Sequence, residues 1–214
     1  MRVKDAFDLF PATLPQGDSS CSVVSEDGSS TSPTQNTERK KVQVPGREIK
    51  RLFVHCAATP NGKAFTAEDI DRWHGERDFN RKSKYKDTFN KELKHIGYHF
   101  IIYIDGSLHT GRHIQEIGAH AYMHNRDSLG ICLIGTDRFT LAQWITLKAQ
   151  LAALKGTYCD ATIHGHHEVS NKICPGFNVP NWLASGQQID NEHLYPPITP
   201  NIPVPLPRPK PPQP

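Results

Sequence analysis

The stretch that most restricts the fold of this chain is the run at 129–134, LGICLI, which is almost wholly apolar. A strand with one solvated face alternates apolar and polar residues, whereas a strand covered on both faces is apolar along its length. The run therefore predicts a strand inside a sheet that has layers on both sides, which is the arrangement of an α/β protein.

Other segments supply the remaining strands of that sheet. Residues 49–56 and 98–104 are predicted strands, and the Asp-Gly pair at 105–106 predicts a hairpin into residues 107–112. A last strand is predicted to start at 161–164. The order of these segments predicts a single α/β domain with a central mixed sheet flanked by helices.

Two helices are predicted from their capping residues. Thr66 begins the first, which carries Ile70, Trp73 and Arg77 along one side. Thr140 forms a capping box with Gln143 and begins the second, which Gly156 is expected to end. The buried side of the second helix is predicted to hold the following residues: Trp144, Leu147, Leu151 and Leu154.

The 214 residues divide into three parts by composition. Residues 1–46 are poor in core-forming side chains and are predicted to be a disordered extension and linker. Residues 47–186 are predicted to form the folded domain. Residues 187–214 are a proline-rich tail in which polyproline II structure is favoured.

Charge and hydropathy exclude several classes of function. The formal net charge of +3 is too small and too dispersed to indicate nucleic-acid binding, although it suits weak attraction to an anionic surface. No apolar run approaches the roughly 20 residues that span a bilayer, so stable membrane insertion is not expected. The first residues lack the apolar core of a signal peptide. The five cysteines have no disulfide-framework spacing and indicate reduced thiols in a cytoplasm.

A histidine and a cysteine eight residues apart, His166 and Cys174, suggest a metal site. Imidazole and thiolate are ligands that zinc prefers, and three protein ligands leave a fourth position open for water. His55, at the end of the first predicted strand, is the candidate third ligand. Taken singly, a histidine at a strand end is more often a satisfied polar group, and a lone cysteine is more often a small buried hydrophobe.

Four motifs in order resemble a known family. They are FVHCAAT at 53–59, GYHFII at 97–102, SLGICLIG at 128–135, and HHEV followed by KICP within 166–175. They are similar to the zinc-dependent N-acetylmuramoyl-L-alanine amidases of the type 2 amidase and peptidoglycan recognition protein superfamily, especially its T-odd coliphage lysozyme branch. The resemblance covers roughly residues 48–184 and neither tail.

The resemblance implies a role for each matching residue. It makes His55, His166 and Cys174 the zinc ligands, with Tyr98 and Lys172 as the catalytic pair. His120, in the GAHA segment at 118–121, matches a position near the substrate cleft and is expected to bind substrate. Glu168 is expected to be structural, since the family does not use this position as a base.

The function implied is that of an endolysin, a peptidoglycan hydrolase that cuts the amide between N-acetylmuramic acid and L-alanine. The enzyme is expected to be a monomer made in the host cytoplasm, which reaches the cell wall after holin-type release. One alternative is a receptor of the same fold that binds muropeptide without cutting it, although such receptors typically lack the ligand at Cys174. A cytosolic recycling amidase usually carries aspartate there. A bifunctional protein that also inhibits a phage RNA polymerase is a further possibility.

The segment at 78–95 departs from the family pattern, because it is longer and more basic than the connection in the coliphage enzymes. Within it, residues 80–94 are charged and aperiodic, which predicts an exposed insertion or a short helix. It could reshape a cleft wall or contact anionic glycan-peptide, but a solvated loop is the simpler expectation.

Overall fold

The computed structural model describes residues 46–196. The predictions for the extension at 1–45 and for the proline-rich segment at 197–214 lie outside the described residues. None of the helices within the described range is long and apolar enough to cross a membrane.

Five strands in the described range form one sheet. They are β1 (Arg51–Cys56), β2 (Phe100–Ile102), β3 (Leu108–Thr110), β4 (Ser128–Leu133) and β5 (Thr162–Gly165). Their order across the sheet is β3-β2-β4-β1-β5. The β2–β3 hairpin is antiparallel, and the other neighbouring strands are parallel. The predicted mixed sheet and its hairpin are therefore confirmed.

The helices begin where their caps predict. They are α1 (Ala67–Gly75), α2 (Leu141–Thr157) and α3 (Val179–Ala184), with short 3₁₀ turns at Lys84–Asp87, Asn125–Asp127, His166–Glu168 and Asn191–His193. Thr66 and Thr140 both form capping boxes. Two predicted details are wrong: α1 ends before Arg77, and α2 continues through Gly156, because the Tyr158 N–H still bonds the Leu154 carbonyl.

Both faces of β4 are covered, as its apolar sequence predicts. Leu129, Ile131 and Leu133 belong to the larger core with Trp144 and Leu147 of α2. On the opposite face, a second cluster joins Cys132 to residues of α1 and β2, namely Ile70 and Ile101. The sheet is thus a layer between helices, and burial of these side chains stabilises the arrangement.

The expectation of a solvated loop at 78–95 is wrong in an important respect. Arg81 is only 4 % exposed. Its guanidinium pairs with Glu116 at 2.6 Å and donates to the carbonyls of Phe89, Asn90 and Leu93. A buried guanidinium is tolerated when its donors are satisfied, and this one organises the loop around itself. The exposed lysines of the segment therefore belong to a loop that is packed around the buried Arg81.

The packed region continues beyond the predicted domain end at residue 186. Phe139 and Leu194 form an isolated parallel bridge. The Phe139 N–H bonds the His193 carbonyl at 2.9 Å, and the Tyr195 N–H bonds the Phe139 carbonyl at 2.8 Å. These contacts attach the segment after α3 to the connection that precedes α2.

Candidate metal centre

Two of the predicted ligands meet because their strands are neighbours. His55 lies near the carboxyl end of β1, and His166 follows the carboxyl end of β5 by one residue. Since β1 and β5 are adjacent and parallel, these ends share one edge of the sheet, where α/β proteins commonly place their sites. The two imidazole rings have centroids 4.6 Å apart.

Cys174 reaches the same place from a loop. The His167 N–H donates to the Cys174 carbonyl at 2.7 Å, which folds the loop back onto the turn that carries His166. The Cys174 Sγ accepts from the backbone N–H of Cys56 at 3.3 Å and lies 3.8 Å from His55 Nδ1. All three predicted ligands are therefore brought together, although 119 positions separate His55 and Cys174.

The spacing of the three donor atoms suits a small divalent ion. One nitrogen from each histidine and the Cys174 sulfur all lie within 4.8 Å of one another. Ligands about 2.0–2.3 Å from a tetrahedral centre lie about 3.3–3.8 Å apart, so modest inward movement would close the set. Two imidazoles and one thiolate form a donor set that binds zinc in preference to harder cations.

Burial keeps both histidines neutral. Desolvation lowers the pKa of His55 well below its ordinary value, with neighbouring His120 and His166 acting in the same direction. Desolvation also lowers the pKa of His166 to about 4, and the Lys172 ammonium contributes to that shift. A neutral imidazole has a free lone pair, which is what a metal ligand requires.

The thiol of Cys174 needs a cation in order to ionise. A hydrogen bond with the Cys56 side chain and burial raise the pKa of Cys174. The free thiol is therefore protonated at neutral pH. A coordinated divalent ion reverses this preference, because its charge stabilises the thiolate directly.

The predicted catalytic pair flanks the cluster. The ring of Tyr98 lies 5.1 Å from that of His55, centroid to centroid, and burial raises the pKa of the tyrosine well above its ordinary value. Lys172 is exposed on the loop before Cys174. After desolvation, which is the largest cause, its charge also contributes to the lowered pKa of His55 and of His166.

The structure places His120, the expected substrate-binding residue, against the ring of His55. It is 8 % exposed, and its Nδ1 lies 3.1 Å from His55 Nε2. It therefore sits behind the His55 ring, on the side away from Cys174. Ser128 and Asn125, which contact His120, have no distinguishing signal in the sequence and were not predicted as part of the site.

Glu168 is structural, as expected. Its carboxylate accepts from the Gly165 N–H at 2.6 Å and contacts His164 Nδ1 at 2.8 Å. It thus supports the turn that begins at His166.

Comparisons with known proteins place the chain in a family. A family profile described as N-acetylmuramoyl-L-alanine amidase matches residues 45–177. The chain is 33% identical to the endolysin of Enterobacteria phage K11 and 32% identical to that of Escherichia phage T7; each match covers 71% of this chain and 97% of the relative. The solved amidase LysC from Clostridium intestinale aligns with a TM-score of 0.53 and 26% identity, over 66% of this chain and 85% of that one. The chain therefore belongs to the N-acetylmuramoyl-L-alanine amidase family.

Proposed function

We propose that this protein is a zinc-dependent endolysin that hydrolyses the amide between the lactyl group of N-acetylmuramic acid and L-alanine. The observation that carries the proposal is the convergence of His55, His166 and Cys174 at one edge of the sheet. Membership of the amidase family and the similarity to phage endolysins support the bond and the biological setting.

His55, His166 and Cys174 would hold the ion and leave one position open. A zinc ion in such a site polarises a carbonyl and lowers the pKa of bound water to about 7. The buried neutral imidazoles present lone pairs without first losing a proton. The Cys56 N–H donates to the Cys174 sulfur and so stabilises negative charge on it.

Tyr98 and Lys172 would act on the substrate amide. The raised pKa of Tyr98 keeps its hydroxyl protonated at neutral pH, so it can donate to the oxyanion that forms when water adds to the carbonyl. The Lys172 ammonium, exposed at the rim, supplies positive charge to the same intermediate. Neither residue needs to bind the ion for this role.

The similarity to phage endolysins also supports a proposal for the cellular route. We propose that the protein is made in the host cytoplasm, acts as a monomer and reaches the wall through a holin-type lesion. The mild positive charge would favour contact with the anionic wall once the protein has crossed the membrane.

The deciding experiment is digestion of purified peptidoglycan followed by mass analysis, in the presence of zinc, with a chelator, and after zinc is restored. The expected products carry a free muramic lactyl carboxyl and a new alanine amino terminus, and chelation should stop their formation reversibly. Products cut at a glycosidic or peptide–peptide bond would overturn the proposal. Sedimentation with insoluble peptidoglycan but no release would favour the non-catalytic receptor.

A further inference from the structure

The His55 ring is contacted through both of its nitrogens. Nδ1 lies 3.8 Å from the Cys174 sulfur, and Nε2 lies 3.1 Å from Nδ1 of His120. Both histidines are buried, so water does not compete for this contact. Because a neutral imidazole has one N–H and one lone pair, the proton on Nε2 decides whether Nδ1 can bind an ion.

The hydrogen bonds on the far side of His120 determine which nitrogen carries that proton. Ser128 Oγ lies 2.6 Å from the backbone carbonyl of His124, which can only accept. Ser128 therefore donates its single hydroxyl proton to this carbonyl, and in any other hydrogen bond its oxygen is the acceptor. Nε2 of His120 is 3.5 Å from this oxygen, a long contact, and must be the donor in it.

The positions of the remaining protons follow because a neutral imidazole has one donor nitrogen and one acceptor nitrogen. Burial disfavours a charged imidazole, and His55 and His120 are both buried, so each ring carries a single proton. With its proton on Nε2, His120 has a lone pair on Nδ1 and accepts from His55. The His55 proton then lies on Nε2, and its Nδ1 lone pair faces Cys174.

The backbone around His120 is shaped to hold the ring in this place. Asn125 Oδ1 accepts from the N–H groups of His120 and Ala121, at 2.8 and 2.9 Å. Gly130 of β4 leaves room for the ring, since a Cβ there would lie 2.6 Å from the His120 Cγ. A strand residue with any side chain would displace the imidazole from His55.

We infer that His120 is a positioning residue: a chain of hydrogen bonds from His55 through His120 and Ser128 to the His124 carbonyl holds the His55 Nδ1 lone pair toward the ion. The inference rests on the proposed function, because it assigns His120 a task at the same centre. It gives His120 a role that does not require contact with substrate. Partners of this kind orient ligating histidines and strengthen metal binding.

The first test reads the tautomer directly in the zinc-free protein by ¹⁵N NMR of the histidine rings. The wild-type chain should show His55 and His120 both protonated on Nε2. Ser128→Ala removes the acceptor for His120 and should give a mixture of tautomers at both rings. A His55 protonated on Nδ1 in the wild type, or an unchanged pattern in Ser128→Ala, would overturn the inference.

The second test measures zinc affinity by competition with a chromophoric chelator, which does not depend on hydrolysis. His120→Ala should weaken binding by about 10–100-fold. His120→Asn, which can place an acceptor oxygen near the position of Nδ1, should recover part of the loss. Equal affinities in His120→Ala and wild type would contradict the role, and circular dichroism establishes that each variant is folded.

Thr110→Val is the matched control. Thr110 is a fully buried strand residue whose hydroxyl accepts from Asn90, away from the chain of hydrogen bonds. It should lower stability but leave the His55 tautomer and zinc affinity unchanged. If the tautomers are as expected but peptidoglycan is not cut at the proposed bond, only the proposed function fails.

Discussion

At the scale of single residues, the site depends on three donors whose individual chemistry is unremarkable. Histidine and cysteine would serve as ligands here because burial removes competing water and keeps each imidazole neutral. The residues that assist them are visible only through contacts: the N–H of Cys56 on the Cys174 sulfur, and His120 behind His55. Substitutions of single side chains therefore test these roles one at a time.

Replacing Cys174 with serine should abolish zinc retention and hydrolysis while the fold remains mostly intact. A serine hydroxyl does not ionise readily enough to replace the thiolate, but it is of similar size and can donate to the nearby Cys56 carbonyl. Metal analysis, turbidity clearing and thermal melting of the zinc-free protein measure the three properties. The exposed Cys159→Ser is the control and should keep both metal and activity. Full activity in Cys174→Ser would remove the proposed centre.

Replacing Lys172 with alanine should reduce turnover by about 10²–10³-fold, because one group that stabilises the oxyanion is lost. Zinc content should stay at the wild-type level, since Lys172 is exposed beside the ligands and is not one of them. Steady-state kinetics and metal analysis on the same sample separate the two effects. Lys91→Ala, another exposed lysine, serves as the control. Loss of zinc with Lys172→Ala would reassign the residue to a structural role.

At the scale of elements, the sheet edge and two connections create the site. β1 and β5 are short, yet their parallel pairing places His55 and His166 side by side. The segment between α1 and β2 has little regular structure and is organised by the buried ion pair of Arg81 and Glu116. This segment leads directly to Tyr98, so a change in its structure would alter the site around that residue.

Replacing Arg81 with methionine should lower the free energy of unfolding by about 3–5 kcal/mol, because Glu116 is then a buried charge without its partner. The double variant Arg81→Met, Glu116→Gln should recover part of the loss. Urea denaturation measures both. Arg77→Met, on an exposed side chain nearby, should change stability by no more than about 0.5 kcal/mol. If Arg81→Met were as stable as Arg77→Met, the segment would not depend on the ion pair.

At the scale of the whole molecule, five histidines of the described residues are buried, and burial favours their neutral form. Desolvation is the largest cause of the lowered pKa at each of the following: His55, His74, His99, His120 and His166. In the unfolded chain these groups have pKa values near 6.5. Below that pH the unfolded state binds more protons than the folded state, so stability is greatest above pH 6.5 and falls as the pH decreases.

His74 offers a direct measurement of this pH dependence. Its pKa is lowered to about 4, and its Nδ1 accepts from the Gly97 N–H at 2.9 Å. As the pH falls from 6.5 to 4, protonation of His74 in the unfolded chain should lower the free energy of unfolding of the zinc-free protein by about 3 kcal/mol. His74→Asn keeps an acceptor but cannot gain the proton, so its unfolding free energy should fall less steeply over this range. Identical slopes for both proteins in urea titrations would contradict the assignment.

The sequence was sufficient where a structural rule acts over a few residues. The apolar run of β4, the Asp-Gly hairpin and the two threonine N-caps are local patterns, and all four are found in the structure. The ends of α1 and α2 were placed less well, because a helix end also depends on what it packs against. The identity of the candidate ligands came from residue type, spacing and family resemblance.

What only the tertiary structure decided is which groups meet. His55 and Cys174 are 119 positions apart, and Arg81 and Glu116 are 35 apart, so no local rule specifies either contact. The placement of His120 behind His55 depends on the gap at Gly130, on a different strand. The sequence determined the strands, caps and available donors through short-range physics; long-range packing determined their distances, burial and hydrogen-bond direction, from which the chemistry of the centre follows.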